Sequence, residues 1–572
     1  MTKSKIRSTL ALIIEMMSAH PFLTTAIACF FCTIITGAEI SSIGALCSAV
    51  VMCLCCIGFS AYASLDLPDK SFRSLFFTMS GISVFLSLMF GIMLTTSNKP
   101  GIVVLNMGVP LVISAAVYFL ALKKLNTRKL IILIFIAAFI IRLSYIMSIS
   151  ISTKQHDAGS LEEMDGHLGY IGYLVFNGKL PDIDVRTVYQ YYHPPLHHII
   201  AALWVKFQNF IGISNKNVWE NIQVLTMFYS CCCMIISYKI FRQLKLKGKG
   251  LAAAFAIVAF CPTFYILSGS INNDILCLTL SLSAILNTLY WYNSRSFGRI
   301  VCISACVGFA MMAKLSGWMV APAIAFIFLY VFFKNLKDWK KYLVQFVSFI
   351  VVCAPLALWW GIRNYITHKV PITYIMELSP RSGQYVGDIP LIKRLLDFNP
   401  SLFNDVGTQF QQYEGGYNEY NPLVGLFKTS MFDETFIVSY YPEIAGINKI
   451  LFWSAVVLGL IGFAAMIYTF IADKKMSAVH KIFMGLFYGV YLVSYYIFCI
   501  KFPQVCTENI RYAVPLIVIG AFFAGWLLKN ISEKNSAKFT VLKTCITAFI
   551  ISVTSIYSLF SFLVYDIVFI NK

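Results

Sequence analysis

Between His156 and His198 the chain gathers five of its eight histidines and six carboxylates, with long apolar stretches on either side. The stretch includes Gln155-His-Asp-Ala-Gly-Ser160, Met164-Asp-Gly-His167 and Tyr191-Tyr-His-Pro-Pro-Leu-His-His198. Ionisable groups beside a bilayer are costly unless they bind or transform something polar, so the active site is expected here. Asp157 and Asp165 are the candidates for a general base that takes the proton of an attacking hydroxyl. Each could equally be a solvated or helix-capping carboxylate. His193 and His197, four apart on one helix face, could hold a divalent metal together with His156, Asp157 or His167. The alternative is that these histidines simply hydrogen-bond and pack beside Tyr191 and Tyr192.

Three further cations, Lys314, Arg363 and Arg511, stand isolated at the ends of apolar stretches. A phosphate would be a suitable partner for such a charge, although a snorkelling anchor uses the same residue types. Asp274 is placed to pair with one of them or to cap the helix that starts at Ile275. Such a set suits a group transfer in which a hydroxyl attacks and a phosphate departs. A carboxylate takes the hydroxyl proton, and cations or a metal stabilise the departing phosphate.

The elements that must position these groups are helices in a membrane. Of 572 residues, 59% are hydrophobic and 12% charged, and the mean hydropathy is +0.75, which describes a polytopic membrane protein. Backbone polarity in hydrocarbon leaves helices as the spanning element, so an all-α fold is expected. Spans are expected near 9–36, 40–62, 72–95, 101–122, 129–151, 221–241, 249–267, 275–292, 298–313, 316–333, 341–361, 448–471, 479–500, 510–528 and 540–563, about fifteen in all.

The net charge of +19 does not call for nucleic acid, because the basic residues sit in short loops at alternate boundaries. Lys123/Lys124/Arg128/Lys129, Arg242/Lys245/Lys247/Lys249 and Lys334/Lys337/Lys340/Lys341 are examples. This bias orients spans in a cell membrane: the amino terminus is expected in the cytoplasm, and the polar segments 152–220 and 362–447 on the extracytoplasmic side. The basic start runs into an apolar stretch containing Glu15 and His20 without a small-residue cleavage site, and reads as a first helix, not a cleavable signal. The 17 cysteines lie almost entirely within expected spans and read as buried thiols, with Cys506 in an outer loop.

Residues 1–124 read as an accessory block of four helices, and 125–361 as the catalytic membrane core that includes the loop 152–220. A second outer loop follows over 362–447, then the C-terminal transmembrane helices over 448–572. In the first loop a short surface helix is expected from Glu162 to Tyr173, ended by Asn177-Gly178. Another, starting at Pro194-Pro195, carries the apolar stripe Leu196, Ile199, Ile200, Leu203 and Trp204 and should lie along the interface. The second loop sets aromatics beside carboxylates in Tyr413-Glu-Gly-Gly-Tyr-Asn-Glu-Tyr420 and Phe432-Asp-Glu-Thr435, a mixture suited to sugars and also ordinary in loops.

Asp165-Gly-His-Leu-Gly-Tyr170, Asn177-Gly-Lys-Leu-Pro181 and Tyr192-His-Pro-Pro-Leu196 resemble, in this order, the first extracytoplasmic loop of the family 39 type GT-C glycosyltransferases. These include protein O-mannosyltransferases and the lipid A aminoarabinose transferase. The resemblance extends to Ser268-Gly-Ser-Ile-Asn-Asn-Asp274, Ala313-Lys314-Leu-Ser-Gly317, Arg363-Asn364 and Arg511-Tyr512-Ala-Val-Pro515, covering 129–530 and leaving out 1–124. It implies a GT-C-like helix bundle, a sugar donor linked to polyprenyl phosphate, and Asp165 as the catalytic aspartate. It also places Lys314, Arg363, Arg511, Asp274 and Tyr192 at the donor. The family has Asp-Glu where this chain has Asp165-Gly166, and often a basic residue where it has His193, which leaves the base open between Asp165 and the His156-Asp157 pair.

No Gly-x-Gly-x-x-Gly opens a βαβ unit and no P-loop occurs, so no nucleotide cofactor is expected and a lipid-linked sugar is the donor. The expected partners are that donor, an acceptor glycan, lipid or protein, and membrane lipid. The competing class is a lipid-linked glycan transporter or flippase, with a glycan polymerase or ligase between the two. A transporter calls for mid-span charges and related halves with broken helices. Glu15 and Arg142 are the main mid-span charges, and no repeat is evident.

Overall fold

The computed structural model describes residues 9, 12–13, 15–33, 35–36, 42–64, 69–153, 155–377, 379–380, 383–404, 406–407, 412–413, 416–417, 419–434, 444–533 and 540–570. Every expected span overlaps a helix among the described residues. Twelve helices among the described residues are long and apolar enough to cross a membrane. Gly248–Ala259 and Pro262–Gly269, bent by 41° at their junction, make a thirteenth if taken together. The spans expected at 9–36 and 298–313 are represented by the shorter helices Pro21–Cys32 and Phe297–Ala313, of 12 and 17 residues. The chain is an all-α, multi-pass membrane protein, with a two-residue antiparallel pair, Gln412–Tyr413 on Gly416–Tyr417, in its second polar loop. Of the motifs expected there, residues 414, 415, 418 and 435 lie outside the described residues.

The break at Pro262 explains the mid-span charge. Proline has no N–H to continue the ladder, which strands carbonyls at the end of the preceding helix. Arg142, fully buried on the helix Thr127–Ser148, donates from Nη1 to the Ala259 carbonyl at 3.0 Å and from Nε to Ser230 Oγ at 2.9 Å. This arginine caps a broken helix.

Two boundaries differ from expectation by seven residues, the last helix running to Ile570 past the expected 563. The helix Trp339–His368 runs seven residues past the expected end at 361, with Lys369 closing it in the left-handed region (φ 57°). Arg363 stays on this helix because its guanidinium stacks on Trp360, 4.6 Å from the ring centroid, and bonds the Pro181 carbonyl and Asn364 Oδ1.

The first loop forms the two expected short helices, Gly166–Asn177 and Leu196–Phe210. The second shows Leu203, Phe207 and Phe210 outward while Ala201, Ala202 and Val205 are buried, as an interfacial helix should. The first is not a surface helix, for most of Gly166–Leu174 is buried. Its opening N–H groups are satisfied by a neighbouring strand of loop: His167 N–H donates to the Asp157 carbonyl at 3.0 Å and Leu168 N–H to that of Ala158 at 2.7 Å. The tight approach needs glycine at 166, where φ is 65° and a Cβ would lie 2.4 Å from the Ala158 carbonyl. The departure from the family's Asp-Glu is thereby explained: a glutamate at 166 would collide with the segment that carries Asp157.

Candidate active site

Asp157 sits in a left-handed conformation (φ 56°), held by the backbone bonds just described. Its two carboxylate oxygens are separately engaged. Oδ2 accepts from Arg511 Nη1 at 2.9 Å, and Oδ1 from the Tyr189 hydroxyl at 2.7 Å. Burial would raise the Asp157 pKa, but the Arg511 guanidinium prevails and holds the carboxyl well below its usual range.

Arg511 lies in the 3-10 turn Ile510–Tyr512, between the helices Ala478–Lys501 and Pro515–Glu533. Asn509 fixes that turn by accepting Arg511 N–H on its side-chain oxygen at 2.8 Å. The guanidinium is 7% exposed and faces three carboxylates: Asp157, Asp274 at 3.9 Å and Glu434 at 3.9 Å. Asp274, at the first turn of Asp274–Ser294, pairs in turn with Lys314. Lys314 occupies the extended link between Phe297–Ala313 and the 3-10 turn Leu315–Val320, with its ammonium 5.0 Å from the Tyr512 ring centroid. Gly317 lets this turn fold back on the helix, since a Cβ there would be 2.5 Å from the Ala310 carbonyl carbon. Asn273 locks the two elements together by donating to the Ala313 carbonyl at 2.7 Å.

Asp157, Asp274, Lys314, Arg511, Tyr192, His167 and His193 line one cavity of about 460 Å³. The rest of its wall is largely apolar or aromatic and includes Met319, Trp360, Ile372, Tyr374 and Phe498. Tyr192 and Tyr374 meet edge to face, 6.2 Å between centroids.

Two expected site residues are turned elsewhere. Asp165 does not line this cavity: its Oδ1 accepts from Ser160 N–H at 2.8 Å within its own loop. Arg363 braces Pro181 and Trp360 outside the wall, while its neighbour Asn364 lines it.

The expected metal set does not assemble. His156 is buried between Asp433, 2.8 Å from Nε2, and Glu434, 3.3 Å from Nδ1. Burial would lower its pKa, but these two carboxylates push it up to about 10. His197 bonds the Ile271 carbonyl through Nε2 at 2.8 Å, and burial takes it down to about 4. His167 and His193 join His198, Tyr170 and Tyr191 in a column of stacked rings, tied by a 2.9 Å bond between His167 Nδ1 and His198 Nε2. Burial holds all three imidazoles well below their usual range, so they are neutral. Among the described residues, no three His, Cys, Asp or Glu side chains converge as ligands. The centre of the acidic cluster is taken by Arg511, so the residues do not fit a divalent ion.

Tyr189, Glu434 and the His156–Asp433 pair were not singled out as site partners from sequence. Asp433 and Glu434 do sit in the flagged Phe432–Thr435 motif, but their pairing with His156 spans 277 positions for Asp433 and leaves no local signal.

Residues 192–359 match the family model described as dolichyl-phosphate-mannose-protein mannosyltransferase. The match covers less than a third of the chain. It takes in Tyr192, His193, Asp274 and Lys314 and stops short of Asp157 and Arg511, whose association with them comes from the geometry alone. No curated protein matches the chain. Among solved structures it is similar to the archaeal oligosaccharyltransferase AglB from Archaeoglobus fulgidus, in complex with an inhibitory peptide and a dolichol-phosphate. The TM-score is 0.45 at 12% identity, over 77% of this chain and 56% of that one. The apo form of the Archaeoglobus fulgidus oligosaccharyltransferase gives a TM-score of 0.43 at 12% identity, over 76% and 55%. The chain thus spans little more than half the length of these relatives.

Proposed function

We propose that this chain is a GT-C glycosyltransferase that moves a sugar from a polyprenyl-phosphate donor to an acceptor hydroxyl, with inversion, on the extracytoplasmic side of a cell membrane. The observation that carries this is the cavity itself, in which an ionised aspartate shares one wall with apolar groups of membrane-spanning helices. The dolichyl phosphate in the matched family's description supports the same class of donor. Asp157 is the base. As the acceptor oxygen bonds to the anomeric carbon, the bond from that carbon to the phosphate oxygen breaks and its electron pair leaves with the phosphate. The hydroxyl proton passes to Asp157. Arg511 and Tyr189 keep this carboxylate ionised and aimed, and Tyr192 and Tyr374 offer ring faces to the sugar.

Purified protein in nanodiscs is expected to release polyprenyl phosphate from a polyprenyl-phosphate hexose and to leave the corresponding nucleotide sugar intact. Turnover of the nucleotide sugar alone would refute the donor class. The orientation has its own test: Ser160→Cys in a cysteine-free background should react with an impermeant maleimide in intact cells. Reaction only after lysis would put the cavity on the opposite side.

A further inference from the structure

Phosphate binding in this cavity is expected from sequence at Lys314 and Arg511, yet both already face carboxylates: Lys314 pairs with Asp274, and Arg511 Nη1 bonds Asp157 while its Nε has no hydrogen-bond partner. Lys314 and Arg511 face Asp157, Asp274 and Glu434, two cations against three carboxylates. The protonated His156 nearby is matched by Asp433. Among the groups that line this end of the cavity the two cations are balanced by Asp157 and Asp274, with Glu434 a further carboxylate beside Arg511. A phosphate placed there would have to break existing pairs in a poorly hydrated site, where like-charge repulsion is little screened.

A third cation lines the same cavity. Lys501 ends the helix Ala478–Lys501, and among the described residues it has no carboxylate at ion-pair distance. Its ammonium faces the ring of Phe502, 4.9 Å from the centroid. Ser494, Ile497, Phe498 and Lys501 recur along one helical face and all line the cavity. The large apolar groups beside them are open to the outside: Ile497 is 58% exposed and Trp318 43%, and Ile372 and Ile375 are also exposed. A charged helix end rimmed by outward-facing apolar side chains is what a lipid meets where a span leaves the hydrocarbon.

We infer that Lys501 holds the phosphate of the lipid donor, with the isoprenoid chain leaving past Ile497 and Trp318 and the sugar directed inward to Asp157. This assignment rests on the lipid-phosphate donor proposed above. It gives the two ends of the cavity separate tasks. The outer cation receives the departing phosphate, and the inner end, whose cations already face carboxylates, receives the proton, so neither task opposes the other electrostatically. Lysine suits the outer task because its ammonium is a compact point charge that binds phosphate without a fixed fork geometry.

Lysine at a helix C-terminus also favours the helix dipole without any ligand, so the test must read the phosphate specifically. Binding of polyprenyl monophosphate and of the uncharged polyprenol is measured on the full chain in nanodiscs. The wild type should prefer the phosphate. Lys501→Gln should weaken phosphate binding on the order of 10- to 100-fold, the worth of a hydrogen bond to a charged group, and leave the alcohol unchanged. Lys501→Arg should restore most of the loss. Undiminished phosphate affinity in Lys501→Gln, beside a loss in Lys314→Gln, would overturn the assignment and return the phosphate to the inner pair. Equal binding of phosphate and alcohol by the wild type would instead remove the donor class, and this inference with it.

Discussion

Asp157→Asn is expected to abolish most glycosyl transfer while leaving binding of polyprenyl phosphate intact. Loss of a general base costs roughly 10²–10⁴-fold in rate. The amide is nearly isosteric: its oxygen can accept from Arg511 while its NH2 donates to the Tyr189 oxygen, so the fold should survive and the loss should fall on kcat, not on donor affinity. Asp165→Asn is the matched control from the same loop. Its carboxylate accepts from Ser160 N–H and faces away from the cavity, so transfer should remain within a few-fold of wild type. Inactivity of Asp165→Asn beside a nearly normal Asp157→Asn would move the base to the residue that the family resemblance favours. Normal transfer by both variants would remove the mechanism.

A strongly depressed pKa makes Asp157 a weak base, which suits its task. The acceptor hydroxyl becomes acidic only as its oxygen bonds to the anomeric carbon, so the base must be ionised beforehand and need not be strong. Arg511 secures that ionisation, and Tyr189 leaves one lone pair on each oxygen free for the acceptor.

The spans were legible because each is a long apolar run bounded by charge; the bend at Pro262, inside what reads as one span over 249–267, was not foreseen, although proline cannot donate there. The boundary at 361 was misplaced for a local reason: Arg363 looks like the polar end of a span, but its stacking on Trp360 lets the helix continue to His368. The choice between Asp157 and Asp165 was not legible. It depends on two left-handed residues, Asp157 and Gly166, and on a crossing of loop and helix that neither periodicity nor spacing encodes. The histidines misled in a similar way. Their spacing allows a metal set, whereas burial stacks three as neutral rings, sends His197 to a backbone carbonyl and sends His156 to carboxylates on a distant loop. Sequence reveals the candidate groups of such a site, but pairings across hundreds of residues decide which of them face the cavity.

The pair between His156 and Asp433 ties the loop that carries Asp157 to the Asp433–Glu434 corner, and its loss should be the largest stability effect among single substitutions at the site. His156→Leu leaves buried Asp433 without its cation and Glu434 with only the more distant Arg511, and breaking a buried ion pair from one side costs about 3–5 kcal/mol. The sign of the pH dependence follows from the direction of the shift. The folded value, about 10, lies above the ordinary 6.5, so the stabilisation is fully present below pH 6.5, declines as pH rises through that window and is gone above pH 10. On the acid side the partner acts in the opposite sense: His156 holds Asp433 below its ordinary 3.8 despite burial, so that contribution fails only as pH falls below the ordinary carboxylate range. Thermal unfolding of wild type and His156→Leu in the same detergent should therefore show a wide gap near pH 6 that closes steadily toward pH 10. A gap that stays constant across this range would mean that His156 fills space and carries no charge, and the electrostatic tie between the two loops would have to be abandoned.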